Sequence, residues 1–448
     1  MAPTLRDLPD FLHNSPYIPV APFDIDEPQP KPVKPTLKEI LRSRPVRTSI
    51  PIVICFLVIL ALLPHGIPKA RELHIQYKTP ACLKQDPVEV VPLTGEEKDI
   101  DWGQYAYITY ATSKDHLCNA LMLFESLNRL ESKAARVLLY RQQWKDEWVE
   151  DKNGKGMEIM TEMLIQARDE YGVSLVNVEV LSHRHSPGDE WADSYTKFLA
   201  WNQTDYTRLI VLDSDSTILQ SMDELFFAPM DEKTELLAPR AYWLDASGVP
   251  SLASHIMLIK PSLEEYIRLE NEVVLAGRNT YDMDIINAIF TEQQDACGLI
   301  DHRTYALLTG EFRRPVDKHR GFWGKPKKGE EGVKKVWDPQ EVLANSKFVH
   351  FSDWPLRKPW EMKDLEWLGK GPKCVGVEEG DDCRGRDIWN GFYEDFRERR
   401  VGIARDFDDT DDKDDIWVAE RESRSPDDQR NREGTAGVIS VAGSVVAG

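Results

Sequence analysis

Strand-like apolar runs alternate with amphipathic helices between residues 105 and 212, and no other feature limits the fold as strongly. The runs YAYITYAT, RVLLY, VSLVNVEVL and RLIVL are rich in β-branched and aromatic residues. Strands that alternate with helices predict an α/β fold built on a parallel, doubly wound sheet. Further strands are predicted at ASHIMLIK and KFVHF. The apolar positions of the helix between the first two runs recur at helical spacing: Leu117, Leu121, Phe124 and Leu127.

Two aspartates follow the fourth run directly. In RLIVLDSDSTIL the apolar strand ends at Leu212, and Asp213 and Asp215 flank Ser214. Residues i and i+2 of an extended segment point to the same side, and open α/β sheets bind ligands beyond the carboxyl ends of their strands. Because an unpaired buried charge is costly, the pair predicts a divalent cation. A polar turn, which Asp and Ser also favour, is the alternative.

The chemistry of such an ion connects the pair to a phosphorylated substrate. Carboxylate oxygens select Mg²⁺ or Mn²⁺, and an added imidazole favours Mn²⁺. The ion could hold a diphosphate, neutralise its charge and stabilise it as a leaving group. We therefore expect a metal-dependent enzyme that acts on a diphosphate.

Two enzyme classes place an aspartate pair after a strand. Nucleotide-sugar glycosyltransferases use the pair to chelate the ion on the sugar nucleotide. Haloacid-dehalogenase-type phosphatases use D-x-D-x-T with the first Asp as nucleophile, and DSDST satisfies that pattern too. The phosphatase motif usually opens its domain, whereas about 110 residues of strand–helix units precede Asp213. This position favours a transferase, and the phosphatase remains the alternative.

The net charge disfavours nucleic acid as a partner. The 448 residues carry a formal charge of −20, whereas nucleic-acid binders present a basic face. An acidic surface does not exclude an anionic substrate when a metal ion supplies the positive charge.

An apolar run near the N-terminus predicts a membrane anchor over residues 48–64. IPIVICFLVILALLP is uncharged, and residues 31–47 carry six bases against one acid. This bias puts the N-terminus in the cytosol and the bulk of the chain across the membrane. The run is shorter than the roughly 20 residues of a typical span, which suits a thin early-secretory bilayer. A signal peptide and a buried core helix are the competing interpretations.

The anchor divides the chain into five segments. Residues 1–47, rich in proline and charge, are predicted to be a disordered cytosolic tail, and residues 65–103 a stem. Residues 104–400 form the predicted catalytic domain, and residues 401–448 a disordered acidic tail. The six cysteines show no zinc-binding spacing. Cys374 and Cys383 would form a disulfide in an oxidising compartment, and two free thiols are the alternative.

Four patches, in order, resemble glycosyltransferase family 8, the glycogenin-like retaining enzymes. They are YAYITYATSKDHLCNALMLFESL, TKFLAWNQTDYTRLIVLDSDSTIL, YDMDIIN and HFSDWPLRKPW, and together they cover roughly 250 residues. The resemblance implies a GT-A fold, a UDP-sugar donor and retention of the anomeric configuration. The anchor, the stem and the patch YDMDIIN make the resemblance more specific, toward the fungal Golgi group called glucose N-acetyltransferases. Members of that group are N-acetylglucosaminyltransferases that act on mannose-containing glycans, in a type II membrane topology.

The resemblance also assigns roles to residues. Asp282 is expected beneath the donor sugar, although a shifted alignment would choose Asp284, and two acids at i and i+2 of a helix do not share a face. The metal ligands would be Asp213, Asp215 and His350. Lys197 and Lys358 would contact the diphosphate or sugar. Ser214 would contribute to the donor site, and the nucleoside pocket would be lined by Tyr110, Ser113 and His116.

Without the resemblance, several of these residues have plainer interpretations. His350 could be an ordinary partly buried histidine, and the lysines could be solvated. Residues around His116 could serve only to begin a helix.

The chain departs from the family pattern where the family contacts the donor sugar. Ala253, Ser254 and His255 stand in place of N-x-G, and Met283 replaces a glutamine. The late patch has two extra residues and lacks the family's glycine, with Ser352 and Asp353 in that region. A catalytically inactive Golgi scaffold of the same fold is therefore a third reading.

Overall fold

The structure is a computed structural model. It describes residues 79–94, 99–144, 155–183, 191–247, 250–277, 280–315, 318–324, 336–362, 366–377 and 380–405. The predicted cytosolic tail, the predicted anchor and the acidic run after Arg405 lie outside these residues. Within the described ranges, no helix is both long and apolar enough to cross a membrane.

Twelve strands lie in the described part of the chain. They are β1 (Tyr105–Ala111), β2 (Ala135–Arg141), β3 (Val173–Val178), β4 (Arg208–Leu212), β5 (Ser216–Ile218), β6 (Leu236–Pro239), β7 (Ile256–Ile259), β8 (Cys297–Ile300), β9 (Leu307–Leu308), β10 (Phe348–His350), β11 (Val375–Val377) and β12 (Gly380–Asp382). Seven form the central sheet in the order β3-β2-β1-β4-β7-β6-β8. A smaller sheet has the order β5-β10-β9, and β11 pairs with β12.

The central sheet is mixed, so the α/β class is confirmed and the all-parallel arrangement is wrong. Strands β1, β2, β3 and β4 are parallel, as are β6 and β8. Strand β7 runs antiparallel to both β4 and β6. Parallel neighbours need a crossover, usually a helix. The connection from β6 to β7 instead doubles back through an antiparallel bridge between Arg240 and Leu252.

Helices cover the sheet, and several of them begin at a residue whose side chain caps the first turn. Ser113 accepts a hydrogen bond from the backbone N–H of His116 and starts the first helix. The α-helices are α1 (Lys114–Arg129), α2 (Lys155–Asp169), α3 (Leu263–Leu275), α4 (Asp282–Ile286), α5 (His302–Tyr305), α6 (Arg320–Trp323), α7 (Pro339–Asn345) and α8 (Arg384–Arg405). A 3₁₀ helix spans Ser194–Asn202. A π-helix, Asn287–Gln293, continues α4.

Two apolar layers hold the sheet between them. Along β4, Leu209 and Val211 pack into one buried cluster, and Ile210 and Leu212 into the other. Successive side chains of a strand point to opposite faces, so a strand that is apolar throughout must be covered on both sides. The continuous run RLIVL is therefore an interior strand, and its carboxyl end opens at the edge where Asp213 lies.

The last helix was not predicted. Helix α8 continues past residue 401, where the acidic tail was expected to begin, and packs on α1. The guanidinium of Arg399 lies 2.7 Å from Glu125 and donates to Ser126 over 2.8 Å. Arg400 donates to Asn119 over 2.6 Å. Helix α8 therefore lies beyond the end of the family resemblance near residue 360, and it runs five residues past the predicted domain end at residue 400.

Two disulfides fasten the ends of the body. The predicted bridge between Cys374 and Cys383 is present. A second bridge joins Cys82 to Cys297 on β8 and was not predicted. The first bridged cysteine lies in the segment expected to be a stem, so the folded body begins well before Tyr105.

Candidate active site

The predicted metal ligands converge beyond the end of β4. One ligand atom each from Asp213, Asp215 and His350 all lie within 4.8 Å of one another. The local reason is the short antiparallel ladder that follows the aspartates. Residue Ser216 of β5 is paired with His350 of β10, and Phe351 donates its backbone N–H to the carbonyl of Asp215 over 2.9 Å.

These three residues fit a divalent cation. The Nε2 atom of His350 lies 3.1 Å from Oδ1 of Asp215. Two ligands at right angles around an ion with bonds of about 2.1 Å are separated by about 3 Å. Within the described residues, Oδ1 of Asp213 is buried without a hydrogen-bond partner, although the Lys197 ammonium lies nearby. This unsatisfied oxygen, the carboxylate of Asp215 and the imidazole of His350 together form a set of ligands that suits Mn²⁺ or Mg²⁺.

Lys197 links two of the predicted acidic residues. Its side chain is only 1% exposed, and its ammonium lies 2.7 Å from Oδ1 of Asp213 and 2.7 Å from Oδ2 of Asp282. Of the two oxygens of Asp213, only Oδ2 accepts a well-aligned hydrogen bond from Lys197, over 2.9 Å. Burial by itself lowers the pKa of Lys197, but the two carboxylates outweigh it and hold the pKa well above its ordinary value. The lysine is therefore a fixed cation between the metal ligands and the expected sugar position.

The structure separates the two alternative acids. Asp282 is buried, and its Oδ2 accepts hydrogen bonds from Lys197 and from the hydroxyl of Ser254, each over 2.7 Å. Asp284 is exposed and accepts from the backbone N–H of Tyr281 over 2.9 Å, which makes it a cap of α4. Asp282 thus faces the site, and Asp284 faces solvent.

Lys358 closes the other side of the site. Its ammonium lies 2.6 Å from Oδ2 of Asp215 and donates to the carbonyl of Phe351 over 2.6 Å. Asp215 is thereby contacted on one oxygen by His350 and on the other by Lys358. Burial by itself raises the pKa of Asp215, but these two partners outweigh it and hold the pKa well below its ordinary value. Ser214, between the two aspartates, is buried.

The pKa of Asp213 is raised by its surroundings, whereas the pKa of Asp282 is lowered. Burial raises the pKa of Asp213 despite the nearby Lys197. Burial also acts to raise the pKa of Asp282, but the charge of Lys197 and the hydrogen bonds that Asp282 accepts outweigh burial and lower this pKa. Asp282 is accordingly ionised at neutral pH.

The residues expected at the nucleoside lie at the neighbouring strand end. Strands β1 and β4 are parallel neighbours, so Tyr110 emerges at the same edge as Asp213. The ammonium of Lys197 lies 5.9 Å from the centroid of the Tyr110 ring. Burial raises the pKa of the Tyr110 hydroxyl. Ser113 caps α1. His116 contacts Oγ1 of Thr112 over 3.2 Å, and burial lowers the pKa of its imidazole.

Two contributors to the site were seen in the sequence only as departures from the family. Ser254 donates to Asp282, and the buried ring of His255 stacks on His350 with centroids 4.7 Å apart. Their place at the start of the run ASHIMLIK, directly before β7, was the available signal, since β7 neighbours β4. By contrast, Asp353 turns away into the fold, where it accepts from Trp389 over 2.9 Å and from Tyr393 over 2.8 Å.

Curated relatives share a common name. The chain is 42% identical over 308 residues to glucose N-acetyltransferase 1 of Gibberella zeae, a match that covers 68% of this chain and 63% of the relative. It is 39% identical over 317 residues to glucose N-acetyltransferase 1 of Aspergillus fumigatus, covering 67% of this chain and 77% of that protein. The chain therefore spans less than two thirds of the Gibberella relative. No protein-family model matches the chain.

Solved structures give only a weak likeness. The bifunctional glycosyltransferase WbbM is matched with a TM-score of 0.42 and 13% identity, over 68% of this chain and 52% of that one. The galactosyltransferase LgtC is matched with a TM-score of 0.38 and 13% identity, over 66% of this chain and 99% of that one. Likeness at this level supports no conclusion about activity. The identity to the fungal relatives is sufficient by itself, and this chain belongs to the glucose N-acetyltransferase family.

Proposed function

We propose that this chain is a retaining, metal-dependent glycosyltransferase of the GT-A type that transfers N-acetylglucosamine from UDP-GlcNAc to a mannose-containing glycan. The observation that carries the proposal is the convergence of Asp213, Asp215 and His350 between the ammonium groups of Lys197 and Lys358. Ligands for a divalent ion and cations for a diphosphate at one sheet edge are the groups that the departure of UDP requires. The name of the fungal relatives supports the choice of sugar.

Asp213, Asp215 and His350 would hold the ion, and the imidazole favours Mn²⁺. When bound, the ion supplies positive charge that neutralises the diphosphate and stabilises it as a leaving group. Lys358 sits beside Asp215 and would contact the same phosphates as a point charge. Tyr110, Ser113 and His116, at the adjoining strand end, would bind the nucleoside.

Asp282 would orient the donor sugar rather than attack it. Its Oδ2 accepts hydrogen bonds from Lys197 and Ser254, and these partners lower the pKa of the carboxyl group, which makes the carboxylate as a whole a weaker nucleophile. We therefore assign a reaction in which the acceptor attacks on the face that UDP leaves. Double displacement through Asp282 is the rival. Mass spectrometry of protein incubated with donor alone tests it, because a glycosyl adduct on Asp282 would support the rival.

The chain would be a single-pass type II protein of the Golgi membrane, with residues 48–64 as the anchor. Support comes from the uncharged run and the basic residues that precede it. The two disulfides also support a domain that folds in an oxidising compartment.

The first test is transfer by the full-length protein from a panel of UDP-sugars to a mannose-rich acceptor, with Mn²⁺ or with EDTA. We expect UDP release from UDP-GlcNAc that is lost with EDTA and in the Asp213→Ala/Asp215→Ala double variant. Asp282→Ala should lose more than about a hundredfold in rate, the usual range for a group that acts on the transition state. Asp284→Ala removes the neighbouring exposed acid and is the matched control.

The rival functions give different results in the same assay. UDP binding that depends on Mn²⁺, without turnover of any donor, would favour the inactive scaffold. Absence of UDP binding together with hydrolysis of simple phosphate esters would favour the haloacid-dehalogenase-type phosphatase and overturn the proposal.

A further inference from the structure

A tryptophan beside the candidate site is exposed to solvent. Trp354 exposes 83% of its surface, more than any other large apolar side chain in the described residues. It lies in the segment that runs from His350, a candidate metal ligand, to Lys358. Both ends of that segment contact the carboxylate of Asp215, over 3.1 Å and 2.6 Å. Trp354 is four residues from each end of the segment, and four residues span at most about 14 Å, so its Cα lies within about 14 Å of the Cα atoms of His350 and Lys358.

The segment is fixed on both sides of this tryptophan. The preceding residue, Asp353, is buried and accepts hydrogen bonds from Trp389 and Tyr393 of α8. The backbone N–H of Leu356 donates to the carbonyl of Asp353 over 2.9 Å. Lys358 in turn donates to the carbonyl of Phe351. The backbone that carries Trp354 is therefore held by hydrogen bonds on both sides, while its ring lies in solvent.

The location of the Trp354 ring indicates which of the two substrates would contact it. The donor diphosphate would lie against Lys197 and Asp213, which are buried or half-buried, whereas Trp354 faces outward. Of the two substrates of the proposed reaction, the acceptor glycan is therefore the one that can extend out of the site to this ring. A pyranose presents a face of C–H groups, and the indole offers a flat apolar surface with one N–H donor. The late patch, which contains this tryptophan, is also two residues longer than in the family it resembles.

We propose that Trp354 is a platform on which a sugar ring of the acceptor glycan stacks. This inference rests on the proposed glycosyltransferase function and adds the site of its second substrate. Rigid aromatic side chains are frequent anchors of recognition because they offer a large contact area and lose little conformational freedom.

The test compares Trp354→Ala and Trp354→Phe in the full-length protein. Three quantities are measured: UDP affinity with Mn²⁺ by calorimetry, UDP release from UDP-GlcNAc without acceptor, and transfer as a function of α-linked mannotriose concentration. In Trp354→Ala we expect the KM for mannotriose to rise about tenfold, the equivalent of one lost anchor contact, with the first two quantities unchanged. Trp354→Phe should stay close to wild type. Leu275→Ala, an exposed apolar residue at the end of α3, is the control.

The results separate this inference from the proposed function. An unchanged KM in Trp354→Ala, or an equal loss of UDP affinity, would overturn the platform. So would a wild-type protein that binds UDP but transfers nothing to mannotriose at any concentration, and the donor half of the function would then stand. A wild-type protein that binds no UDP would instead overturn the function on which the platform depends.

Discussion

The imidazole of His255 lies parallel to that of His350, with 9° between the ring planes and 4.7 Å between the centroids. A metal-ligating histidine usually donates its second ring N–H to an acceptor that fixes its orientation. Among the described residues, Nδ1 of His350 is buried and has no such partner. The stacked ring of His255 therefore helps to hold His350 in position, together with Asp215 on its other nitrogen.

Removal of this stacked ring should weaken metal binding. We expect His255→Ala to lower the Mn²⁺ affinity about tenfold or more, as for other residues that orient a ligand. His255→Phe keeps a flat ring in the same place and should retain most of the affinity. Titration of Mn²⁺ followed by the paramagnetic resonance of the free ion measures both variants. Equal affinities for the alanine variant and the wild type would contradict the role.

Lys197 should be essential for stability as well as for the site. Lys197→Ala leaves the half-buried Asp213 and the buried Asp282 without their shared cation, and loss of one partner of a buried ion pair costs about 3–5 kcal/mol. Addition of Asp282→Asn to that variant removes one of the two repelling charges and should restore part of the loss. Denaturant unfolding measures the three proteins. Lys114→Ala, at an exposed position, should change the free energy of unfolding by less than about 0.5 kcal/mol.

Asp353 should hold helix α8 against the body. Asp353→Ala leaves the indole N–H of Trp389 and the hydroxyl of Tyr393 buried without their acceptor. Buried donors left unpaired cost about 1–3 kcal/mol each, so we expect the two together to lower the free energy of unfolding by about 2–6 kcal/mol. Faster hydrogen exchange in α8 should accompany it. An alanine variant with wild-type protection throughout α8 would show that the helix is held by other contacts.

The buried His302 should make the protein less stable in mild acid. Burial lowers the pKa of its imidazole, so the unfolded chain takes up a proton near pH 6.5 while the folded chain does not. Stability from this residue is therefore present above about pH 6.5 and falls as the pH drops toward the folded pKa, by up to about 1.4 kcal/mol per pH unit. His302→Gln can keep the hydrogen bond to the carbonyl of Phe322 and should flatten this slope. Unfolding curves between pH 8 and pH 5 measure it.

The local sequence pattern was sufficient to predict the two aspartates of the site but not its lysine Lys358. Asp213 and Asp215 could be predicted because a strand edge, an apolar run and a period of two fix where both side chains point. Lys358 could not be found in this way, since it meets Asp215 from 143 residues away. That contact depends on the register of β5 and β10, and only the resemblance to a family pointed to it.

Helix α8 shows a signal that was present in the sequence. Trp389, Phe392, Tyr393 and Phe396 recur at the spacing of one helical face, and all four are buried. The abundance of charged residues around them obscured this stripe. The reversal of β7 had no comparable signal, because strand direction depends on how the connection folds back rather than on the composition of the strand.

The disulfide at Cys82 has a consequence for handling the protein. Strand β8 ends the order of the central sheet, and the backbone N–H of Val88 donates to the carbonyl of Leu299 over 2.7 Å. The bridge between Cys82 and Cys297 thus fastens a covering segment over a strand that would otherwise present unpaired backbone groups. Exposed strands of this kind recruit other chains and aggregate. Protein produced in a reducing cytosol should therefore be prone to self-association through β8, whereas protein produced with oxidative folding should stay dispersed.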